Sequence, residues 1–525
     1  MAVVFALLFI SQLVTSILTN SLAPKTYKAA ILEHDIRHYV NSPLETMLAN
    51  VKVYTETAAK AALEGVDILA FPEYGIVTLN SPSYLGTNYT SEDFFVYLSP
   101  EAVGNWVPCE SPEKFGDGRD NQKLLELLSC AALNNSIVLV VNLLTKEPCS
   151  KPNDVNCFPS GFRKFNTNLI FNKNGTLLAR YHKHHLFEER VMTPGPKDEY
   201  EIIDVGFMKF GTFICFDALY GDPLVDYVTK HGIRNLIFTT AWVDELPFHS
   251  SPQVYNRMAR GLGINLIVSN AYYPNIGRLG SGIYSSINGA AIETYDLSTP
   301  GRLLIAELPI DPPVLPTEAS FECPLKAENQ SLSKESNRTF YIHTIGSNIP
   351  SSSPSEAIHQ IWFQGLRNFS HIFLESKEES VSLCENDLCC HLSYSFAQNP
   401  GKDLYTFAIN NAYRMFGSYK FYEQVCSVMR CESKDIETCG RVPAESTSAI
   451  FNSLTLTGSF ATTTLFPSIL ATDLQSIPDS EWDFSQGNCT EQKDGMKYGG
   501  RITLKSTASK PIMVASIYSR VYDRD

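Results

Sequence analysis

Positive charge is in short supply in this chain. Its 525 residues include 42 lysines and arginines against 56 aspartates and glutamates, a formal net charge of −14. No basic cluster offsets that balance, so nucleic acids and anionic membrane surfaces are set aside as main partners. Long apolar runs are also scarce. The N-terminal stretch MAVVFALLFISQLVTSILTNSLAPK has an apolar core too short to span a bilayer and gives way to small and polar residues. It reads as a secretory signal over residues 1–24. No lysine or arginine precedes the apolar run, which leaves the N-terminal amine as its positive end. The C-terminal KPIMVASIYSRVYDRD has only a short apolar patch and then charges, which predicts a secreted product without a glycolipid anchor or a transmembrane segment. Repeats and long low-complexity tracts are absent. His182, His184 and His185 cluster, but they make no His-X3-His or Cys-X2-Cys pair set of the kind zinc sites use. No metal and no cofactor are expected.

Cysteine, by contrast, is plentiful and odd in number. With thirteen cysteines, at least one lacks an intramolecular partner. Seven Asn-X-Ser/Thr acceptors, at Asn88, Asn134, Asn174, Asn329, Asn337, Asn368 and Asn488, fit an extracellular glycoprotein, and an oxidising compartment favours disulfides. Cys109 and Cys130 bracket one segment, and Cys149 and Cys157 a short loop. Cys323, Cys384, Cys389, Cys390, Cys426, Cys431, Cys439 and Cys489 crowd the C-terminal part. These groups are all even, which leaves Cys215. A thiol kept free among disulfides suggests a nucleophile. The competing readings are a buried structural cysteine and an intermolecular bridge.

The length predicts two domains. From Tyr27 onward strands alternate with helices: AAILEHDI as a strand, Pro43–Gly65 as an amphipathic helix, VDILAFPEYG as a buried strand, Asn121–Asn135 as a helix and Ser136–Leu144 as a strand. NLIFNKNGTLLARY reads as a hairpin whose Asn174–Gly175 pair suits a type I′ turn. The stretch KFGTFICFDALYGDP sets Cys215 between a strand end and a helix start, a place where backbone N–H groups favour a thiolate. NLIFTTAW, a helix near Val254–Leu262, INLIVSN, GAAIETY and RLLIAELPI complete this half. Strands and helices in this order predict an α/β fold with layered sheets over residues 25–315. PIDPPVLPTEASFECP then reads as a linker, and residues 316–525 as a smaller β-rich, disulfide-stapled domain.

Glu73, Lys183 and Cys215 each follow a core element, where open α/β sheets place their chemistry. Singly, each has an ordinary reading: a solvated turn carboxylate, one charge of a basic run, a core cysteine. Together they supply covalent amide hydrolysis. A thiol needs a base, which an enclosed carboxylate can be. The tetrahedral oxyanion needs fixed donors, which the Lys183 ammonium and the Phe216 backbone N–H can supply.

FPEYG, RYHKHHLFEE and FICFDALYGDP, in this order, resemble the Glu, Lys and Cys motifs of the nitrilase (carbon–nitrogen hydrolase) superfamily. NWVPC, FNTNLIFNKNGTLLARYHK, TTAW and GSGIY are similar to its secreted branch, the vanins (pantetheinases) and biotinidase. The likeness covers about residues 27–310, and the cysteine-dense LCCHLSYS region extends it more weakly. It implies an αββα sandwich with Glu73 as base, Lys183 as oxyanion stabiliser and proton donor, and Cys215 as nucleophile. It also implies a supporting glutamate, for which Glu188 fits better than the adjacent Glu189, and Trp242 as a pocket wall. The implied substrate is a small linear amide, pantetheine first and biocytin second, and the rival class is a binding or adhesion module on the same scaffold.

Overall fold

A strand near the N-terminus, β1 (Thr26–Asp35), joins two sheets and fixes the edge on which the chemistry sits. The computed structural model of the protein describes residues 25–37, 42–77, 91–150, 154–197, 199–286, 288–314, 316–324, 345–347, 359–490 and 497–525. The signal stretch 1–24 and the acceptor residues Asn88, Asn329 and Asn337 lie outside them. The four described acceptors, Asn134, Asn174, Asn368 and Asn488, are all exposed.

After β1 come α1 (Pro43–Leu63), β2 (Ile68–Ala70), α2 (Lys123–Asn135), β3 (Val138–Pro148), β4 (Phe162–Phe171) and β5 (Leu177–His182). The first sheet runs β5-β4-β3-β2-β1. A second is built from β6 (Lys209–Ile214), β7 (Asn235–Thr240) and β8 (Asn265–Tyr272), with α3 (Ser251–Leu262) between β7 and β8. β1 reaches β8 through parallel pairing at His34–Ala271 and Asp35–Tyr272, while β9 (Arg302–Pro309) runs antiparallel along it.

Strict alternation builds the layers, because neighbouring strand residues point to opposite faces. Ile68, Ala70, Val138, Val140, Ile237 and Ile267 share one core between the sheets. Leu69, Leu139 and Val141 turn outward to α1 and α2, and Leu236, Phe238, Leu266 and Val268 turn to α3 on the other side. The result is the expected α–β–β–α sandwich. In α1, the Ser42 hydroxyl caps the helix by accepting from the Glu45 N–H, and Pro43 opens the first turn.

The β4–β5 hairpin departs from its sequence reading. Gly175 donates to the Asn172 carbonyl at 2.8 Å, and in this loop only Gly175 has a positive φ, of 78°. A type I′ turn needs positive φ at two successive residues. Asn174 instead uses its side chain to accept from the Thr176 N–H, and a left-handed glycine closes the turn.

The C-terminal half packs two antiparallel-rich sheets around their own core. Six disulfides join Cys109–Cys130, Cys149–Cys157, Cys323–Cys489, Cys384–Cys389, Cys390–Cys426 and Cys431–Cys439, and Cys215 alone is free. The linker-like run contains a strand the sequence hid, Thr317–Phe321, which pairs in parallel with Trp482–Cys489 beside the Cys323–Cys489 bridge. The other sheet lies against α3. A Cβ on Gly261 would fall 2.1 Å from the Leu465 carbonyl oxygen, so only glycine permits this approach.

Candidate active site

Glu73, Lys183 and the turn that carries Cys215 converge beyond the strand ends. The chain leaves β2 through Phe71–Pro72, which sets Glu73 in a buried position with both carboxylate oxygens engaged. Oε1 accepts from Lys183 Nζ and Asn166 Nδ2, each at 2.8 Å, and Oε2 accepts from the Ala241 N–H at 2.8 Å. Lys183 follows β5 and is as deeply buried. Burial alone would lower its pKa, but the Glu73 carboxylate and the Cys215 sulfur outweigh that and hold the ammonium above its ordinary range. It therefore stays charged, as an oxyanion partner must and a base must not.

Cys215 follows β6 with φ of 44°, a left-handed conformation that costs a non-glycine residue about 1 kcal/mol or more. Asp217 holds this turn. Its Oδ2 accepts from the Ile214 N–H at 2.9 Å and the Tyr181 hydroxyl at 2.8 Å, and its Oδ1 accepts from the His185 N–H at 2.8 Å. One buried carboxyl thus ties the cysteine turn to the loop bearing Lys183. The turn is a short 3-10 segment, Cys215–Leu219, and the helix expected to start at Asp222–Pro223 follows it over Leu224–Thr229. Burial and then the Glu73 charge push the thiol up to about 12, with Lys183 opposing only in part. The expected thiolate-favouring terminus is corrected: the resting group is a protonated thiol that needs a base.

The supporting glutamate is also corrected. Glu188 sits at φ of 55°, its side chain half-exposed and paired with Arg190 at 3.1 Å. That left-handed residue turns the chain so that Glu189 points inward. Glu189 Oε2 lies 3.0 Å from Lys183 Nζ and accepts from the Phe187 N–H at 3.1 Å, while its Oε1 meets Asn166 and the Tyr74 hydroxyl. Burial, followed by the nearby Glu73 charge, raises Glu189 well above the carboxylate range. Glu188→Gln is expected to leave turnover within about twofold, whereas Glu189→Gln lowers kcat by about 10–100-fold; steady-state kinetics of both variants checks the contrast.

Phe216 follows Cys215 in the turn, its ring 5.0 Å from Phe187 and 4.6 Å from Tyr419. Tyr419 belongs to the C-terminal half. Its hydroxyl accepts from the Glu188 N–H at 2.9 Å and donates to the Leu186 carbonyl at 2.8 Å, bracing the loop between Lys183 and Glu189. Trp242 is buried beside Ala241. Its indole N–H donates to the His249 carbonyl at 2.9 Å and its backbone N–H to Asn270 Oδ1 at 2.9 Å. Asn166, Tyr74 and Tyr419 escaped the sequence reading; Tyr74, adjacent to Glu73, offered the only local signal.

Among the described residues, His184, His185 and Asp222 bring ligand-type atoms within 4.8 Å of one another. Hydrogen bonds already engage them: His184 Nδ1 with the Gly195 carbonyl at 2.7 Å, and His185 Nε2 with the Asp222 carbonyl at 3.0 Å.

Residues 28–264 match the carbon–nitrogen hydrolase family, and residues 361–525 match the vanin C-terminal domain. Pantetheinase from Bos taurus is 32% identical over 490 residues, covering 92% of this chain and 85% of its own. The chain belongs to the vanin and biotinidase branch of the carbon–nitrogen hydrolases. Human pantetheinase is 31% identical, with 95% of this chain and 90% of the relative covered. Biotinidase from Bos taurus is 29% identical, with 92% and 88% covered. Among solved structures, an amidase from Nesterenkonia sp. aligns with 54% of this chain and 91% of its own at 19% identity and a TM-score of 0.39. As a member of this branch the chain is a hydrolase of carbon–nitrogen bonds other than peptide bonds. Among the described residues no helix is long and apolar enough to cross a membrane.

Proposed function

We propose that this vanin-like hydrolase cleaves pantetheine to pantothenate and cysteamine through a thioester on Cys215. The observation that carries the reading is the Glu73–Lys183 pair at 2.8 Å, set beside a thiol that is protonated at rest. Glu73 takes the Cys215 proton as the sulfur attacks the amide carbonyl. Lys183 and the Phe216 N–H hold the resulting oxyanion. Collapse of the tetrahedral species breaks the carbon–nitrogen bond, and Glu73 returns its proton to the departing amine. Glu73 then takes a proton from water as the water oxygen attacks the thioester, and the acid leaves with the thiol restored. Glu189 keeps Lys183 in place through its Oε2, 3.0 Å from the ammonium.

The preference for pantetheine rests on the pantetheinases among the relatives, and biocytin is the second reading because biotinidase is among them too. Both are linear amides, so pocket shape decides between them. Purified protein given each amide in parallel is expected to show kcat/KM at least about tenfold higher for pantetheine; faster cleavage of biocytin would reverse the assignment. We also propose secretion as a glycoprotein, supported by the N-terminal signal pattern, the exposed acceptor asparagines and six disulfides.

A further inference from the structure

Three side chains of metal-ligand type gather where the loop after Lys183 meets the segment after the cysteine turn. His184 and His185 follow Lys183 directly. Asp222 lies 37 residues beyond His185, so the fold and not a sequence spacing brings it to them. The ligand-type atoms of the three lie within 4.8 Å of one another, and all three residues are part-buried. His185 is fixed twice: its ring stacks on Tyr220 at 3.6 Å, and its backbone N–H donates to Asp217 Oδ1 at 2.8 Å.

The hydrogen bonds at this cluster prepare it for a cation. His184 Nδ1 lies 2.7 Å from the Gly195 carbonyl, which can only accept, so Nδ1 carries a proton and the neutral ring keeps its lone pair on Nε2. That lone pair faces Asp222 Oδ2 at 3.9 Å, a separation too long for a hydrogen bond. A backbone carbonyl behind Nδ1 is also the outer contact that orients metal-bound histidines. On the other side of the same carboxylate, His185 Nε2 stands 3.3 Å from Oδ1 and 3.0 Å from the Asp222 carbonyl. Two imidazole nitrogens and one carboxylate oxygen suit zinc and its neighbours better than calcium or magnesium, whose ligands are oxygens. We propose that His184, His185 and Asp222 bind a divalent transition-metal ion of the zinc class, with water completing four-coordination. The ion replaces the proton on His185 Nε2, which moves to Nδ1 or to solvent. The ligands close by about 1 Å to reach bond lengths of about 2.0–2.2 Å. Occupation ties the residue after Lys183 to a point just beyond the Cys215–Leu219 turn. The site rests neither on Cys215 as nucleophile nor on pantetheine as substrate.

Zinc titrated by calorimetry into the intact Cys215→Ala protein tests this, because that background has no free thiol to compete. One site with a Kd of about 10 μM or tighter is expected. Adding His184→Asn leaves a side-chain amide able to donate to the Gly195 carbonyl, and should weaken zinc binding at least about tenfold; adding Asp222→Asn should do the same. Both should melt without metal within a few degrees of the Cys215→Ala protein, which separates a lost ligand from a lost fold. Saturating zinc should raise the thermal midpoint of Cys215→Ala by a few degrees and leave that of the His184→Asn protein in place. Equal zinc affinity with and without His184 and Asp222 would put the ion elsewhere and overturn the site. Failure to bind at about 1 mM zinc would overturn it as well. Because the nucleophile is absent throughout, neither failure bears on the reaction proposed for Cys215.

Discussion

Cys215→Ala is expected to abolish amide hydrolysis, with a loss of at least about 10⁵-fold in kcat, because no other group at the site can form the acyl intermediate. Folding should survive. Cys215 is in no disulfide, and alanine tolerates its φ of 44° no worse than cysteine does. Asp217, which holds the turn through the Ile214 N–H, the Tyr181 hydroxyl and the His185 N–H, is untouched. The variant's thermal midpoint should therefore lie within a few degrees of the parent's. Turnover of any candidate amide at a near-normal rate would remove Cys215 from the mechanism.

Glu73→Gln should lower kcat by about 10³–10⁴-fold, and it carries a second signature of opposite sense. Both oxygens of Glu73 accept from donors: Lys183 and Asn166 on one side, Ala241 on the other. A carboxamide must turn its NH₂ toward one of those sides, so it loses an acceptor as well as a charge. The Glu73 charge is, after burial, the main influence that raises the Cys215 pKa. Removing it should move the midpoint of the alkylation pH profile below about 12, making the thiol easier to ionise while the enzyme works worse. A midpoint that moves upward would show that Glu73 does not face the sulfur as a carboxylate.

The three residues proposed for catalysis stand out in the sequence because each lies where a core element stops. Proline after Phe71 ends a strand before Glu73, the hairpin ends before Lys183, and β6 ends before Cys215. The parity of the cysteines had already singled out Cys215, and the six bridges leave the same residue free. The choice between two adjacent glutamates was not legible. It depends on the positive φ of Glu188, which neither glycine nor asparagine announces. The same holds at Cys215, whose positive φ and burial give a thiol where a thiolate-favouring place was expected. Contacts that span the chain left no local trace: Glu188 and Tyr419 are 231 residues apart.

The composition shift near Pro309 marks a seam in the sequence that the packing does not respect. Trp242, Tyr255 and Met258 share one continuous apolar cluster with Met429, Phe466, Val514 and Tyr518, and Gly261 lets the backbones of the two halves nearly touch. Tyr419 reaches across to the loop that separates Lys183 from Glu189. Neither half could be exchanged for a foreign module without opening a bare apolar face and loosening the active-site wall. A substitution deep in the C-terminal sheets is therefore expected to disturb the loop between Lys183 and Glu189 together with the shared core.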